Sequence, residues 1–199
     1  EYNNIKYTVT RIGTYAFRYS LRIKTITIPE SVMEIGKEAF AHCTNLDSIN
    51  FPDSFDLVIR QNAFYNTKWY NNLEDGAVYI NKVLYRYKGK APKNSTLVVK
   101  EGTTLITQGA FSNCSNITSI ILPEGLITIG DRAFYNCRSL DSLHIPKSVK
   151  QVGMDAFVGT PWFTKHKNNA LYINNILYKH FGNIPKNVMY HIRPGTQII

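Results

Sequence analysis

Residues 26–46 read Ile26-Thr27-Ile28-Pro29-Glu30-Ser31-Val32-Met33-Glu34-Ile35-Gly36-Lys37-Glu38-Ala39-Phe40-Ala41-His42-Cys43-Thr44-Asn45-Leu46, which reduces to I-x-I-P-x-x-V-x-x-I-G-x-x-A-F-x-x-C-x-x-L. Working outward, the Ala-Phe pair returns at Phe17, Phe40, Phe64, Phe111, Phe134 and Phe157, with spacings of 23, 24, 47, 23 and 23 residues. Residues 120–140 and 143–160 repeat most of the unit. A period near 23 lies in the range of repeats in which every rung adds one short strand to a continuous parallel sheet. The strand is the L-x-x-I-x-I segment: Leu46, Ile49 and Phe51 point inward, Ser48 and Asn50 outward, and Pro52 ends the ladder because it has no N–H to donate.

Beyond the strand the chain is expected to cross the back through Val32 and Ile35, pass a glycine, and make a short helical or 3₁₀ turn carrying Ala39 and Phe40. Arg60 and Thr107 stand at that glycine in two rungs, so a positive φ is not compulsory there. A lone rung cannot offset the entropy of ordering its own residues, so stability must come from each rung covering its neighbours. The Phe, Ile and Cys positions then form ladders. Cys43, Cys114 and Cys137 share one ladder position with Ser20, Thr67 and Thr160, which marks a small buried site. Three cysteines without C-x-x-C spacing argue against a metal site.

The 47-residue interval holds an insertion, and the same insertion begins again after Phe157. Trp69 matches Trp162, Tyr79 matches Tyr172, Leu84 matches Leu177, Pro92 matches Pro185 and Gly102 matches Gly195, each 93 residues apart. The module is therefore about 93 residues long, and residues 1–199 read as a single solenoid domain of about two modules, with insertions near 69–95 and 162–188. Within the insertion, Ala77–Ile80 and Val83–Tyr87 flank Asn81-Lys82, and Leu171–Ile173 and Ile176–Tyr178 flank Asn174-Asn175. These runs predict a β-hairpin that projects from, or folds against, one side of the stack. A degenerate extra rung would place Lys82 and Lys93 on core positions. Both termini fall in mid-rung, so a fragment or frayed final rungs around Gly195–Ile199 are expected.

The chain is 199 residues long and 44% hydrophobic, enough for a sizeable core, and its charge of +9 attracts polyanions. The cations are spread without a block of five, which reads first as solvated faces. No stretch approaches the ~18 apolar residues of a membrane helix. No H-E-x-x-H, G-x-S-x-G or G-x-x-x-x-G-K motif is present. The two module copies also test candidate chemistry. His166, His180 and His191 correspond to Leu73, Tyr87 and Val98, and the acidic pair Glu74–Asp75 to Lys167 and Asn168, so neither a repeated metal site nor a glycosidase dyad is indicated. His42 and His144 read as surface histidines. The sequons at Asn94, Asn113 and Asn116 matter only in a host that glycosylates secreted proteins.

The quoted motif resembles the BspA-like leucine-rich repeat family over most of the chain, best at residues 26–46 and 120–140, and the G-x-x-Y-I-x-x-x-L-Y insertion is similar to one common there. The resemblance implies a secreted or surface-anchored bacterial protein, with relatives in protozoan parasites, whose repeats serve adhesion to host or neighbouring-cell and matrix proteins. Lys100 and Arg193 depart from the pattern where the strand-ending proline is expected.

The expected fold is thus a right-handed leucine-rich-repeat solenoid, β-rich and nominally α/β, with a concave parallel sheet, short 3₁₀ or helical convex turns and two inserted hairpins. The expected role is a non-enzymatic surface or secreted binding module with no cofactor and no metal. Its candidate face is the outward strand positions Thr25, Thr27, Ser48, Asn50, Ser119, Ile121, Ser142 and His144, a flat surface suited to a protein partner. The repeated aromatics Trp69, Tyr70, Trp162 and Phe163 read first as a plug under the hairpin and second as a glycan or protein anchor. A purely structural spacer is a third reading. Nucleic acid is disfavoured, because tyrosines beside Lys82, Arg86 and Lys88 are not accompanied by a binding module.

Overall fold

The computed structural model describes residues 7–53, 57–167, 170–183, 189 and 191–196. Residues 197–199 of the stretch 195–199 expected to fray, and residues 168–169 and 184–188 of the second insertion, lie outside the described residues. The chain divides into two compact units, residues 1–88 and 89–199.

In the first unit, strands β1 (Arg11–Ile12), β3 (Glu34–Ile35) and β5 (Val58–Ile59) pair in parallel, as do β2 (Thr25–Thr27) and β4 (Ser48–Asn50). Helix α1 (Lys68–Asn72) leads into the hairpin of β6 (Gly76–Ile80) and β7 (Val83–Lys88). The second unit repeats the plan. Strands β8 (Ser95–Val98), β10 (Ile117–Ile121) and β12 (Ser142–His144) form one parallel sheet, and β9 (Leu105–Ile106), β11 (Thr128–Ile129) and β13 (Gln151–Val152) another. They are followed by α2 (Pro161–Lys165) and the hairpin of β14 (Ala170–Ile173) and β15 (Ile176–His180).

Each rung therefore contributes two strands, where the sequence pattern predicts one. The segment through Ile35 is not a plain crossing but a second ladder, Ile12–Ile35–Ile59 in one unit and Ile106–Ile129–Val152 in the other. A strand of two residues is too short to show alternation, so its pairing is visible only once the rungs are stacked.

The phenylalanine ladder carries the core. Phe17, Phe40 and Phe64 stack with centroids 5.1 and 5.6 Å apart and planes 3° and 7° from parallel. Phe111, Phe134 and Phe157 do the same at 5.3 and 5.5 Å, both 6° from parallel. All but Phe17 are fully buried.

The turn around each Ala-Phe pair is built on two left-handed residues per rung: Tyr15 and Tyr19, Glu38 and His42, Asn62 and Asn66, Gly109 and Asn113, Arg132 and Asn136, Asp155 and Gly159. They break the turn into single closures that alternate with bonds between rungs. Ala39, Ala41 and Cys43 N–H donate to Gly36, Glu38 and Phe40 C=O, while Glu38, Phe40 and His42 N–H donate to Gln61, Ala63 and Tyr65 C=O of the next rung. A continuous helix would keep those second donors for itself. The glycine before the turn serves close approach: a Cβ on Gly36 would sit 2.6 Å from Gly13 C, and one on Gly130 2.6 Å from Gln108 N. Where Arg60 stands instead, its guanidinium turns out to Glu34.

Candidate functional site

The outward face of β2 and β4 presents Thr25 opposite Ser48 and Thr27 opposite Asn50, all four exposed, while Ile26 and Ile49 point inward. Asn50 Nδ2 donates to Thr27 Oγ1 at 3.2 Å, tying neighbouring rungs on the surface itself. In the second unit Thr96, Ser119 and Ser142 form one column and Val98, Ile121 and His144 the next, over the inward Leu97, Ile120 and Leu143. Val98 is 64% and Ile121 52% exposed; Ser142 and His144 are exposed and Ser119 half-buried. The place of Thr96 and Val98 in these columns is hidden in the sequence, because β8 follows the insertion and lacks the preceding rung pattern.

The insertion aromatics are placed differently. Trp69 is half-buried, its ring edge-on to Phe51 and Phe64 at 5.6 and 5.4 Å. Tyr70 is buried against Tyr85, Trp162 against Phe157 at 4.8 Å, and Phe163 against Tyr178 and Phe181. Phe64 N–H donates to Tyr85 Oη at 3.0 Å, so the hairpin is bonded to the rung beneath it. Asn81 Nδ2 donates to Pro52 C=O at 2.6 Å, and Asn174 Nδ2 to Pro146 C=O at 2.9 Å, which holds each hairpin tip down. The hairpins fold against the stack, with Tyr70, Trp162 and Phe163 buried in the packing and Trp69 half-buried.

The way the chain leaves the ladder is a feature that sequence reasoning missed. Thr67 and Thr160, at the position where other rungs carry Cys, are the N-caps of α1 and α2. Thr160 Oγ1 accepts from Phe163 N–H at 3.0 Å and donates to Phe157 C=O at 2.8 Å, so one hydroxyl closes the rung and opens the helix. The signal is present as T-x-W-[YF] and T-P-W-F, although the position reads on its own only as small and buried.

Two of the cysteines are donors inside the ladder. Cys43 Sγ–H donates to Phe17 C=O at 2.9 Å and Cys137 Sγ–H to Phe111 C=O at 3.0 Å. Burial pushes the Cys43 thiol up, and pushes Cys137 up to about 12, which disfavours the thiolate at both. At the surface, the Arg60 and Arg11 guanidinium groups hold the Glu34 carboxyl below the usual carboxylate range. Arg60 Nε lies 2.8 Å from it, and Arg11 bonds it from the rung on the other side. His42 is half-buried, its ring stacked on Tyr19 at 4.7 Å and its Nδ1 3.1 Å from Asn66 Nδ2. His144 is exposed. Among the described residues no group of three or more His, Cys, Asp or Glu could hold a metal ion, and no helix is long and apolar enough to cross a membrane.

Two parallel ladders per rung, a buried aromatic file and a side-chain face repeating at the rung spacing define a leucine-rich repeat solenoid. The chain belongs to the BspA type leucine-rich repeat family, whose pattern matches in six copies over residues 1–75 and 84–186. Among solved structures it is similar to a leucine-rich repeat protein of T. pallidum, at 29% identity over 77% of this chain and 71% of that one, with a TM-score of 0.41. It is also similar to a leucine-rich cell surface protein of Faecalibacterium prausnitzii, at 21% identity over 76% of this chain and 55% of that one, TM-score 0.37. The pneumococcal vaccine antigen PcpA is 22% identical over 77% of this chain and 52% of its own, TM-score 0.38. The chain thus spans about half the length of the last two. No curated protein matches it in sequence.

Proposed function

We propose that this chain is a non-enzymatic binding module of a bacterial surface or secreted protein, and that the outward strand positions dock a protein partner. The observation that carries the reading is the register of the face. Short side chains on successive rungs stand directly opposite one another, at Thr25–Ser48, Thr27–Asn50, Ser119–Ser142 and Ile121–His144. Such a surface offers a repeating array of hydroxyl, amide and apolar groups to a large partner. Arrays of stacked repeats use their strand face in this way.

The test replaces Ser48, Asn50, Ser119 and His144 together by Arg and measures binding to immobilised matrix glycoproteins by surface plasmon resonance, with thermal unfolding as the fold control. Because these side chains are at the surface and do not fill the core, the variant should keep its unfolding midpoint and lose binding. Equal binding by a folded variant would remove this face from consideration.

A further inference from the structure

We propose that Cys114 and Cys137 are a redox pair, which a small-molecule disulfide such as oxidised glutathione converts into a disulfide bond joining two neighbouring rungs. The first observation is register. The two residues are 23 apart and hold the same place in successive rungs. Those rungs are locked in line on either side of the pair, with Leu105 opposite Thr128 and Ser119 opposite Ser142. The turn itself is fixed by Phe111 N–H donating to Ala133 C=O and Asn113 N–H to Tyr135 C=O, both at 2.8 Å. Neighbouring strands lie about 4.8 Å apart, inside the roughly 4.4–6.8 Å between Cα atoms that a disulfide spans. The juxtaposition occurs once: Cys43 has Ser20 and Thr67 at this place in the rungs on its two sides.

The second observation is the direction of the thiol. Where this ladder position carries threonine before a helix, the hydroxyl bonds within its own rung: Thr67 Oγ1 donates to Phe64 C=O at 2.9 Å and Thr160 Oγ1 to Phe157 C=O at 2.8 Å. Cys137 Sγ instead reaches out of its rung to Phe111 C=O at 3.0 Å. Cys43 does the same, towards a rung that holds Ser20. The Phe111 carbonyl also accepts Cys114 N–H at 2.9 Å. The sulfur of Cys137 therefore lies in the turn that Cys114 closes, beside the backbone of the residue it is to join. The influence of one group on the other agrees: burial is the main cause that raises the Cys137 thiol, and the charge on Cys114 raises it further.

The third observation is access, which sets the order of events. Cys114 is half-buried and Cys137 fully buried, so Cys114 meets the oxidant first. Its thiol gives a proton to solvent, and the thiolate attacks one sulfur of the small disulfide, forming a mixed disulfide and expelling one small thiolate. Cys137 then loses its proton and attacks the Cys114 sulfur. The Cys114–Cys137 bond forms, the bond to the small molecule breaks, and a second small thiolate leaves. Both leaving groups take up protons. Two cysteine thiols are oxidised, and one small disulfide is reduced to two thiols. The new bond restricts the unfolded chain, so the oxidised protein is the more stable form.

The test incubates the folded full chain with millimolar oxidised glutathione and then traps the remaining thiols with N-ethylmaleimide in denaturant. Intact mass and peptide mapping count and place them. The thiols should fall from three to one, Cys43 being the one left, with loss of two hydrogen atoms, no retained glutathione and a peptide linking Cys114 to Cys137. The urea midpoint should rise by about 1 M or more and return on reduction. Cys43→Ser should oxidise as the unsubstituted chain does. Cys137→Ser should hold glutathione on Cys114, and Cys114→Ser should leave Cys137 unreacted. The proposal is overturned if the folded chain keeps three thiols, retains glutathione on Cys114 or links through Cys43. It is equally overturned if the Cys114–Cys137 bond forms only in urea, or if the bonded chain unfolds at a lower urea concentration.

Discussion

Replacing Phe134 by alanine removes a ring that is fully buried between Phe111 at 5.3 Å and Phe157 at 5.5 Å. A phenylalanine buries roughly 200 Å², which at ~25 cal/mol per Å² is about 5 kcal/mol. Alanine recovers part of that, and each parallel ring pair adds about 0.5–1.5 kcal/mol beyond area. The neighbouring backbone cannot close the gap, because Phe134 N–H is held by Ala156 C=O at 2.8 Å and Phe111 N–H by Ala133 C=O at 2.8 Å. The expected loss is therefore about 4–5 kcal/mol, at the upper end for Phe→Ala. With a urea slope of about 2 kcal/mol per M, the midpoint should fall by about 2 M. Phe17→Ala is the internal contrast. Phe17 is 37% exposed and, among the described residues, stacks in the file on Phe40 alone, so the same substitution should cost only about 1–2 kcal/mol. A loss below about 1.5 kcal/mol for Phe134→Ala, or equal losses at the two sites, would refute the idea that covering by both neighbouring rungs sets the stability of each.

Three further outcomes follow from the same geometry. Thr160→Val removes the cap hydroxyl and should cost about 1–2 kcal/mol, with amide exchange accelerated in residues 161–166 before the rest of the unit. Gly36→Ala drives a Cβ to 2.6 Å from backbone and should cost about 3 kcal/mol, whereas Gly125→Ala, which meets nothing within 4 Å, should be neutral or slightly stabilising in thermal unfolding. Alkaline pH should destabilise the protein. Burial pushes Cys137 up to about 12 from an ordinary 9.0 and Tyr178 up to about 12 from 10.0, so the unfolded chain ionises first. Their contribution is whole below pH 9 and is lost as pH rises from 9 towards 12. Each tenfold suppression of ionisation in the folded chain corresponds to about 1.4 kcal/mol for a fully buried group, and to less where solvent reaches it. Urea midpoints measured at pH 7, 9 and 10.5 should fall, and less steeply in Cys137→Ser; a flat series would contradict this.

Much of the fold was legible because its determinants recur. The positions of Phe40, Ile49 and Cys43 each return rung after rung as inward sites, and the period alone requires that they stack. The second ladder through Ile35 and Ile129 was not legible, since two-residue strands carry no alternation. The turn looked helical because Ala39 and Phe40 are compatible with a helix, but left-handed Glu38 and His42 redirect every second N–H to the next rung. Side chains as different as Glu38, Asn62, Arg132 and Asp155 share that conformation, so residue type hid it. The aromatics of the insertion are compatible with plug or anchor, with the plug preferred, and burial of Tyr70, Trp162 and Phe163 shows where their rings go.

In the stacked solenoid, backbone groups 22 or 23 residues apart are bonded to each other, as Phe134 is to Ala156 and Phe40 to Ala63. Scalar couplings across hydrogen bonds, recorded on isotope-labelled protein, report those pairs one by one. Couplings from Phe134 N–H to the Ala156 carbonyl, from Phe111 to Ala133 and from Phe40 to Ala63 are predicted, with bonds of 2.8 Å in each case. A spectrum in which these amides couple only to carbonyls three or four residues earlier in the chain would contradict the stacking of rungs.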